Sequence, residues 1–156
     1  MTRVLLAAFA LAPAAACQGA APGAAELQRS PAGLEQSALT IRSGGKVHRF
    51  TVEIARSPEE QAYGMMNRMS LGPDQGMIFP YDPPQPVAFW MKDTLIPLDI
   101  IFIAPGGAIL RIAENAVPLS LENVPSGGPV EAVLELAGGR SAELGLAPGD
   151  KVEWRH

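Results

Sequence analysis

Carboxylate side chains interrupt otherwise apolar stretches at two places in the second half of the chain. Asp99 precedes a run of apolar residues, and Glu135 has leucine on both sides. A buried carboxylate must be paired or hydrogen-bonded, because its desolvation otherwise costs several kcal/mol. Asp99 and Glu135 are therefore candidates for a catalytic acid or base, with Lys92 as an electrostatic stabiliser. The alternative is structural: Asp99 accepts backbone N–H bonds and Glu135 faces water.

Residues 89–94, which read FWMKDT, combine aromatic and charged side chains. Aromatic rings beside converging polar groups are typical of sites that hold sugars or peptides. The alternative is that Trp90 belongs to the core and that Lys92 and Asp93 cap a turn. The candidate ligand-binding residues are Asp74, Met77, Trp90, Lys92, Asp93 and Asp99.

Methionines cluster in the same part of the chain, and Met65, Met66, Met77 and Met91 are the candidate metal ligands. Thioethers select Cu(I), and an indole face can lie against a cation. The alternative is that these methionines fill gaps in a small core, as methionine commonly does. Because no spacing typical of a metal site accompanies them, the sequence predicts no cofactor.

Several chemistries lack the residues they need. The histidines are His48 and the terminal His156, and the single cysteine is Cys17, so a zinc or copper site built from several His or Cys ligands is excluded. A Ser-His-Asp triad would depend on His48 alone. The net charge of -4 argues against a nucleic-acid partner, which would require a basic surface.

Residues 1–17 are typical of an export signal. Arg3 supplies a positive charge, residues 4–12 are apolar, and small alanines lead to Cys17. We expect Cys17 to be lipidated and to anchor the protein in a membrane. The alternative is ordinary cleavage after Ala-x-Ala. Gln18 is not the aspartate of the usual inner-membrane retention signal, so we expect a periplasmic outer-membrane lipoprotein, with residues 18–37 as a flexible Ala/Gly/Pro-rich tether.

Residues 38–156 are expected to form a single β-rich domain. Alternating apolar residues predict a strand over 47–55, and further strands are predicted over 77–79, 87–91, 98–104, 108–113, 130–136 and 151–154. Ser57, Pro58 and Glu60 predict a capped helix start, and a second short helix is predicted within 138–144. The prolines of residues 81–86 exclude a helix or a central strand there. These elements favour a compact antiparallel β-sandwich or barrel with one or two short helices.

Ordered motifs make the chain recognisable. They are GMM-x-R at 64–68, DQGMIF at 74–79, FWMKDT at 89–94, PLDIIF at 97–102, VLEL at 133–136 and the glycine pair 138–139. This set resembles the domain-of-unknown-function 192 family from about Leu39 to Trp154. The resemblance implies a jelly-roll-like β fold, often secreted or membrane-tethered, and no established activity. The chain departs from the family pattern at Gln61, where arginine is usual, and at Asp93, where asparagine is usual.

We therefore expect a non-catalytic, lipid-tethered periplasmic domain that binds a small-molecule, glycan or protein ligand of the cell envelope. The expected site is a cleft between residues 74–79, the turn at 90–94 and Asp99. A carboxylate-dependent hydrolase or lyase is the alternative, and a Cu(I) binder using methionine and tryptophan is a second one.

Overall fold

The strands of this protein wrap into a closed barrel. The computed structural model describes residues 29–155. The elements are β1 (Glu35–Ser43), β2 (Lys46–Ile54), α1 (Pro58–Tyr63), β3 (Gln75–Gln85), β4 (Ala88–Phe89), β5 (Leu98–Ala104), β6 (Ala108–Ala116), β7 (Val124–Pro125), β8 (Val130–Ala137), α2 (Arg140–Leu144) and β9 (Lys151–Trp154). The order around the barrel is β1-β2-β3-β8-β5-β6-β9, and β4 pairs with β7 in a separate two-stranded sheet. The predicted mainly β fold with short helices is confirmed.

One pair of barrel strands runs parallel, which the antiparallel prediction did not include. β2 and β3 are parallel, with Glu53 opposite Met77, whereas the other barrel pairs are antiparallel. A parallel pair requires a crossover connection. Here α1 and the loop that follows it carry the chain back across the sheet before β3 begins. The crossover connection between β2 and β3 therefore consists of α1 and the loop after it.

Two apolar clusters lie on opposite faces of the barrel strands. The first is the barrel interior, with contributions such as Ile41, Val52 and Leu134. The second lies outside β3, β5 and β8, where Met77 and Phe102 pack beneath the loops that follow α1 and β4. Because side chains alternate between faces along a strand, both faces of β5 and β8 are buried. This double burial explains their uninterrupted apolar sequences.

Several local predictions are confirmed. β5 spans Leu98–Ala104 and β9 spans Lys151–Trp154, as expected. α1 begins with the predicted capping box: the Ser57 hydroxyl accepts from the Glu60 backbone N–H, and the Glu60 carboxylate accepts from the Ser57 N–H. Each cap satisfies an N–H group that lacks a partner within the helix.

Other boundaries were wrong. β1 begins at Glu35, so residues 35–37 belong to the barrel rather than to the tether, because they pair with the end of β2. β3 continues to Gln85 through the proline-rich stretch. This is tolerated because the pairing with β8 is irregular between Pro80 and Gln85, where ladder N–H groups are not required. The strand predicted over 87–91 is reduced to β4.

The predictions for residues 1–17, for Cys17 and for residues 18–28 lie outside the described residues. Among residues 29–155, no helix is long and apolar enough to cross a membrane.

Candidate functional site

Two buried carboxyl groups share the outer face of the barrel beneath α1 and its following loop. Glu53 on β2 lies opposite Met77 on β3, and Met77 lies opposite Glu135 on β8. The two glutamates therefore stand on the same face of the sheet, with β3 between their strands, and their Cα atoms are about 10 Å from each other. Both are buried, at 6% and 4% exposure. A buried carboxyl group is paired with a positive charge, hydrogen-bonded or kept protonated, and the two glutamates differ in this respect.

Glu53 is held in an ion pair by Arg68. The Arg68 Nη2 atom donates to Glu53 Oε2, and the arginine side chain is 24% exposed while that of the glutamate is 8% exposed. Arg68 comes from the loop after α1, so this pair fixes the loop onto the sheet. A partly desolvated pair of this type is costly to break from one side, because the remaining charge is left without compensation.

Glu135 has no such partner. Its Oε2 atom is buried without a hydrogen bond. Burial raises the pKa of Glu135 to about 8, while the positive charge of Arg68 acts in the opposite direction. The carboxyl group is therefore mostly protonated at neutral pH. Its neighbour Tyr81 also has a raised pKa, about 12, mainly because of burial and partly because of Glu135.

The Glu135 carboxyl lines a narrow opening, which we call the Glu135 crevice. Its volume is about 40 Å³, and its walls include Gln61, Phe89, Trp90 and Lys92. Gln61 donates from Nε2 to the carbonyl oxygens of Ala55 (3.3 Å) and Pro80 (3.0 Å). A space of this size holds a water molecule or a small polar group, since about 10–15 Å³ is enough for one water.

A much larger hollow lies beside the crevice, over the Glu53–Arg68 pair. This Arg68 groove has a volume of about 500 Å³, and its lining includes Gln36, Tyr63, Asn67 and Gln75. A third hollow of about 380 Å³ lies between residues 32–34 and α1. Tyr63 lines all three spaces, so they adjoin at this residue, and we call the three hollows together the Tyr63 face.

The turn of FWMKDT lies at the mouth of the Glu135 crevice. Trp90 is 48% exposed, and the Lys92 ammonium lies 5.5 Å from the centre of its ring. Asp93 has a positive φ of 52°, which marks a tight turn. Its carbonyl oxygen accepts from the Asn67 backbone N–H at 2.8 Å. The turn and the loop after α1 are therefore joined at the edge of the site.

Asp99 serves a structural purpose. It is fully buried, and its carboxylate accepts three backbone N–H bonds: from Asn115 (2.8 Å) and Gly139 (2.9 Å) at Oδ1, and from Ser141 (2.7 Å) at Oδ2. This is the structural alternative considered for Asp99. Its cross-strand neighbour is Leu136 rather than Glu135, so Asp99 and Glu135 project from opposite faces of the sheet. They do not form a carboxylate pair in one pocket.

Asp74 is also separated from the turn at 90–94. Its exposed carboxylate pairs with Arg140 Nη2 at 2.9 Å, next to α2. The predicted ligand-binding set thus divides in the structure. Trp90, Lys92 and the turn residue Asp93 lie at or beside the crevice, while Asp74 and Asp99 contact the segment around α2. The predicted single cleft is wrong. Asp99 projects from the face of the sheet opposite to Glu135, and Asp74 pairs with Arg140 of α2.

The methionines divide in the same way. Met65, Met77 and Met91 are buried in the outer apolar cluster, which agrees with their role as core filling. Met65 also reaches the crevice, and Met66 lines both the crevice and the Arg68 groove. Among residues 29–155, no three His, Cys, Asp or Glu side chains are grouped so that they could hold a metal ion.

Sequence reasoning missed the centre of this surface. Tyr63, Glu53 and Arg68 were not among the residues predicted to form a site. No spacing signal links Glu53 to Arg68, because their contact depends on how the loop after α1 packs on the sheet.

The comparisons with known proteins agree with the fold. The model of the family DUF192, described as Uncharacterized ACR, matches residues 39–154. A crystal structure of a protein of unknown function from Novosphingobium aromaticivorans DSM 12444 is 46% identical, with a TM-score of 0.81, covering 84% of this chain and 94% of that one. A structure from Sinorhizobium meliloti 1021, described as a proposed transcription regulator, is 41% identical, with a TM-score of 0.76, covering 78% and 95%. No curated protein matches the chain.

Proposed function

We propose that this chain, which belongs to the domain-of-unknown-function 192 family, is a non-catalytic ligand-binding or accessory domain of the cell envelope. The Tyr63 face is its binding site. The observation that carries the proposal is that three hollows meet at one exposed tyrosine, above a buried ion pair and beside a buried carboxyl group with a free oxygen. Concave surfaces with a few convergent polar groups are the usual form of ligand sites.

A binding role fits this surface better than catalysis. Glu135 and Glu53 open into different hollows, and Arg68 is engaged by Glu53. Glu135 and Lys92 do line the same crevice, but its volume of about 40 Å³ leaves room for about one small polar group rather than a substrate. The predicted export signal and lipid anchor would place such a domain in the periplasm, within reach of envelope molecules. Residues 18–28, which precede the described part of the chain, would span about 18 Å as a flexible tether, which would allow the domain to stand away from the membrane.

The proposal is tested by mapping where envelope molecules bind. The full-length protein labelled with ¹⁵N would be titrated with a soluble sugar, a short peptide and a lysophospholipid, and amide shifts recorded. We expect one class to shift the amides of residues 61–71 in a saturable way, and Tyr63→Ala to weaken that binding at least tenfold. Tyr63 is 55% exposed, so this variant should fold normally.

Leu110→Ala provides the matched control, because Leu110 is an exposed apolar side chain on β6, away from the hollows. It should leave binding unchanged. If none of the classes shifts residues 61–71, or if the shifts fall elsewhere, the Tyr63 face is not the binding site.

A further inference from the structure

The charges that line the Arg68 groove cancel each other. Among the described residues around it, the charged side chains are Glu53 and Arg68, and they pair with each other. An anionic ligand at Arg68 would also lie beside the Glu53 carboxylate, and a cationic ligand at Glu53 beside the Arg68 guanidinium. Neither kind of ligand therefore meets a net opposite charge in the groove. The groove is therefore complementary to a neutral molecule.

The remaining polar groups of the groove can both donate and accept hydrogen bonds. Gln36, Asn67 and Gln75 supply amides, and Thr51 and Ser70 supply hydroxyls. Amides and hydroxyls combine donor and acceptor functions in one side chain. A ligand with many hydroxyl groups, each of which also donates and accepts, matches such a lining. An apolar ligand would leave these groups without partners.

Tyr63 supplies an aromatic wall at the side of the groove. Its ring is largely exposed, and its hydroxyl oxygen accepts from Asn67 Nδ2 at 3.3 Å. Asn67 is itself fixed in a left-handed conformation, with φ of 61°, and its backbone N–H donates to Asp93. The ring is thus oriented before any ligand arrives. An oriented aromatic face combines apolar contact area with a polar tip, which suits the C–H face of a sugar ring.

A peptide is a poorer match for this place. Peptides that bind β proteins commonly add a strand to a free sheet edge. β2 and β3 flank the groove, and their lining residues Thr51, Glu53 and Gly76 are each paired with strands on both sides. Their backbone N–H and C=O groups are therefore not offered to a ligand, and recognition has to use side chains.

We infer that the Arg68 groove binds a neutral saccharide, which rests on the proposed function of the Tyr63 face as a ligand site. The volume of about 500 Å³ lies within the range of sites for small molecules and accommodates about two sugar rings. One ring packs on Tyr63. The hydroxyls of the saccharide meet the amides of Gln36 and Gln75 and the Arg68 guanidinium, which keeps N–H groups beyond the one given to Glu53.

The test is isothermal titration calorimetry of the full-length protein with N,N′-diacetylchitobiose and with maltose as neutral probes. Glucuronic acid serves as an anionic sugar, glucose as the neutral sugar of the same size, and a neutral tripeptide as the peptide probe. We expect saturable binding of at least one neutral disaccharide, and at least tenfold weaker binding of glucuronic acid than of glucose. Tyr63→Phe should keep affinity within about threefold, whereas Tyr63→Ala and Gln36→Ala should each lower it at least tenfold.

The outcomes separate the inference from the proposed function. If neither disaccharide binds while the peptide or lipid shifts residues 61–71, the saccharide inference fails and the binding function stands. If glucuronic acid binds as tightly as the neutral probes, the argument from charge cancellation is wrong. If Tyr63→Ala binds a neutral disaccharide as tightly as wild type, the ring does not act as a stacking wall.

Discussion

At the scale of single residues, neighbouring positions on β8 have opposite surroundings. Glu135 faces the outer cluster, where no side chain pairs with its Oε2 atom, whereas the next residue, Leu136, faces the barrel interior. The charged and titratable groups near Glu135 are Arg68 from the loop after α1, Tyr81 from β3 and Lys92 from the turn. Of these, Arg68 is already engaged by Glu53, so burial dominates the behaviour of Glu135.

The raised pKa of Glu135 makes a definite prediction for the pH dependence of stability. The folded protein holds this proton up to about pH 8, while the unfolded chain releases it near 4.5. The contribution of Glu135 to the free energy of unfolding is thus fully present below pH 4.5 and falls as the pH rises to about 8, by about 1.4 kcal/mol per pH unit at most. Glu135→Gln should remove this loss, so its advantage over wild type should grow with pH.

Urea unfolding between pH 5 and 8.5, with ¹³C NMR of the Glu135 carboxyl, checks this expectation. Glu114→Gln is the matched control, because Glu114 is exposed on β6 and should leave the wild-type pH dependence unchanged. Parallel pH curves for wild type and Glu135→Gln, or a carboxyl that titrates near 4.5, would contradict it.

At the scale of elements, the loops that form the site are joined to one another by backbone hydrogen bonds. The loop after α1 bonds to the turn through Asn67 and Asp93, at 2.8 Å. The turn bonds in its own right to residues 117–120, since the Met91 N–H donates to Ser120 at 3.0 Å and the Leu119 N–H to Thr94 at 3.1 Å. A site built on loops tied in this way is held in position before a ligand binds.

Asp99 likewise joins separate elements by hydrogen bonds, on the face of the sheet opposite to Glu135. It joins β5 to the end of β6 and to the segment that begins α2. Asp99→Asn should destabilise the protein by about 1–3 kcal/mol, because an amide NH₂ would face at least one backbone N–H and leave it unsatisfied. Denaturant midpoints and hydrogen exchange of the Gly139 and Ser141 amides measure the effect.

Asp74→Asn is the control for this prediction. Asp74 is exposed and pairs with Arg140, so its loss should cost less than about 1 kcal/mol. Equal losses in the two variants, or unchanged exchange at Gly139 and Ser141 in Asp99→Asn, would show that Asp99 does not anchor α2.

At the scale of the whole molecule, we propose that the barrel binds the ligand and that the segment before it anchors the protein in a membrane. The barrel begins at Glu35, and Arg29 forms an isolated bridge with that residue, so ordered structure starts within the segment predicted as a tether, and that prediction is wrong for residues 29–37. The seven strands follow one another in a closed order, in which a single residue pair, Ala108 with Lys151, joins β6 to β9.

We expect the wild-type protein to incorporate labelled palmitate and to fractionate with the outer membrane, because residues 1–17 lead to Cys17 as lipoprotein signals do. Cys17→Ala should incorporate none. Gln18→Asp is a matched variant that keeps the cysteine, and it should retain the lipidated protein at the inner membrane. A mature wild-type N-terminus beyond residue 17, found by mass spectrometry without palmitate, would support ordinary signal cleavage instead.

The sequence by itself determined the local features of the fold. The alternation of Phe50, Val52 and Ile54 fixed the buried face of β2, and Ser57 with Glu60 fixed the start of α1. Both follow from interactions within a few residues, which periodicity and capping describe well. The apolar run of β5 was also recognisable as a strand.

Only the tertiary structure decided which polar groups meet. Glu53, Met77 and Glu135 stand side by side because β2 and β3 run parallel and β8 lies next to β3, and these pairings join segments far apart in the chain. The separation of Asp99 from Glu135 follows from a strand register that places neighbouring residues on opposite faces. The partners of Asp99 are backbone N–H groups, which every residue except proline carries, so residue types alone could not reveal them.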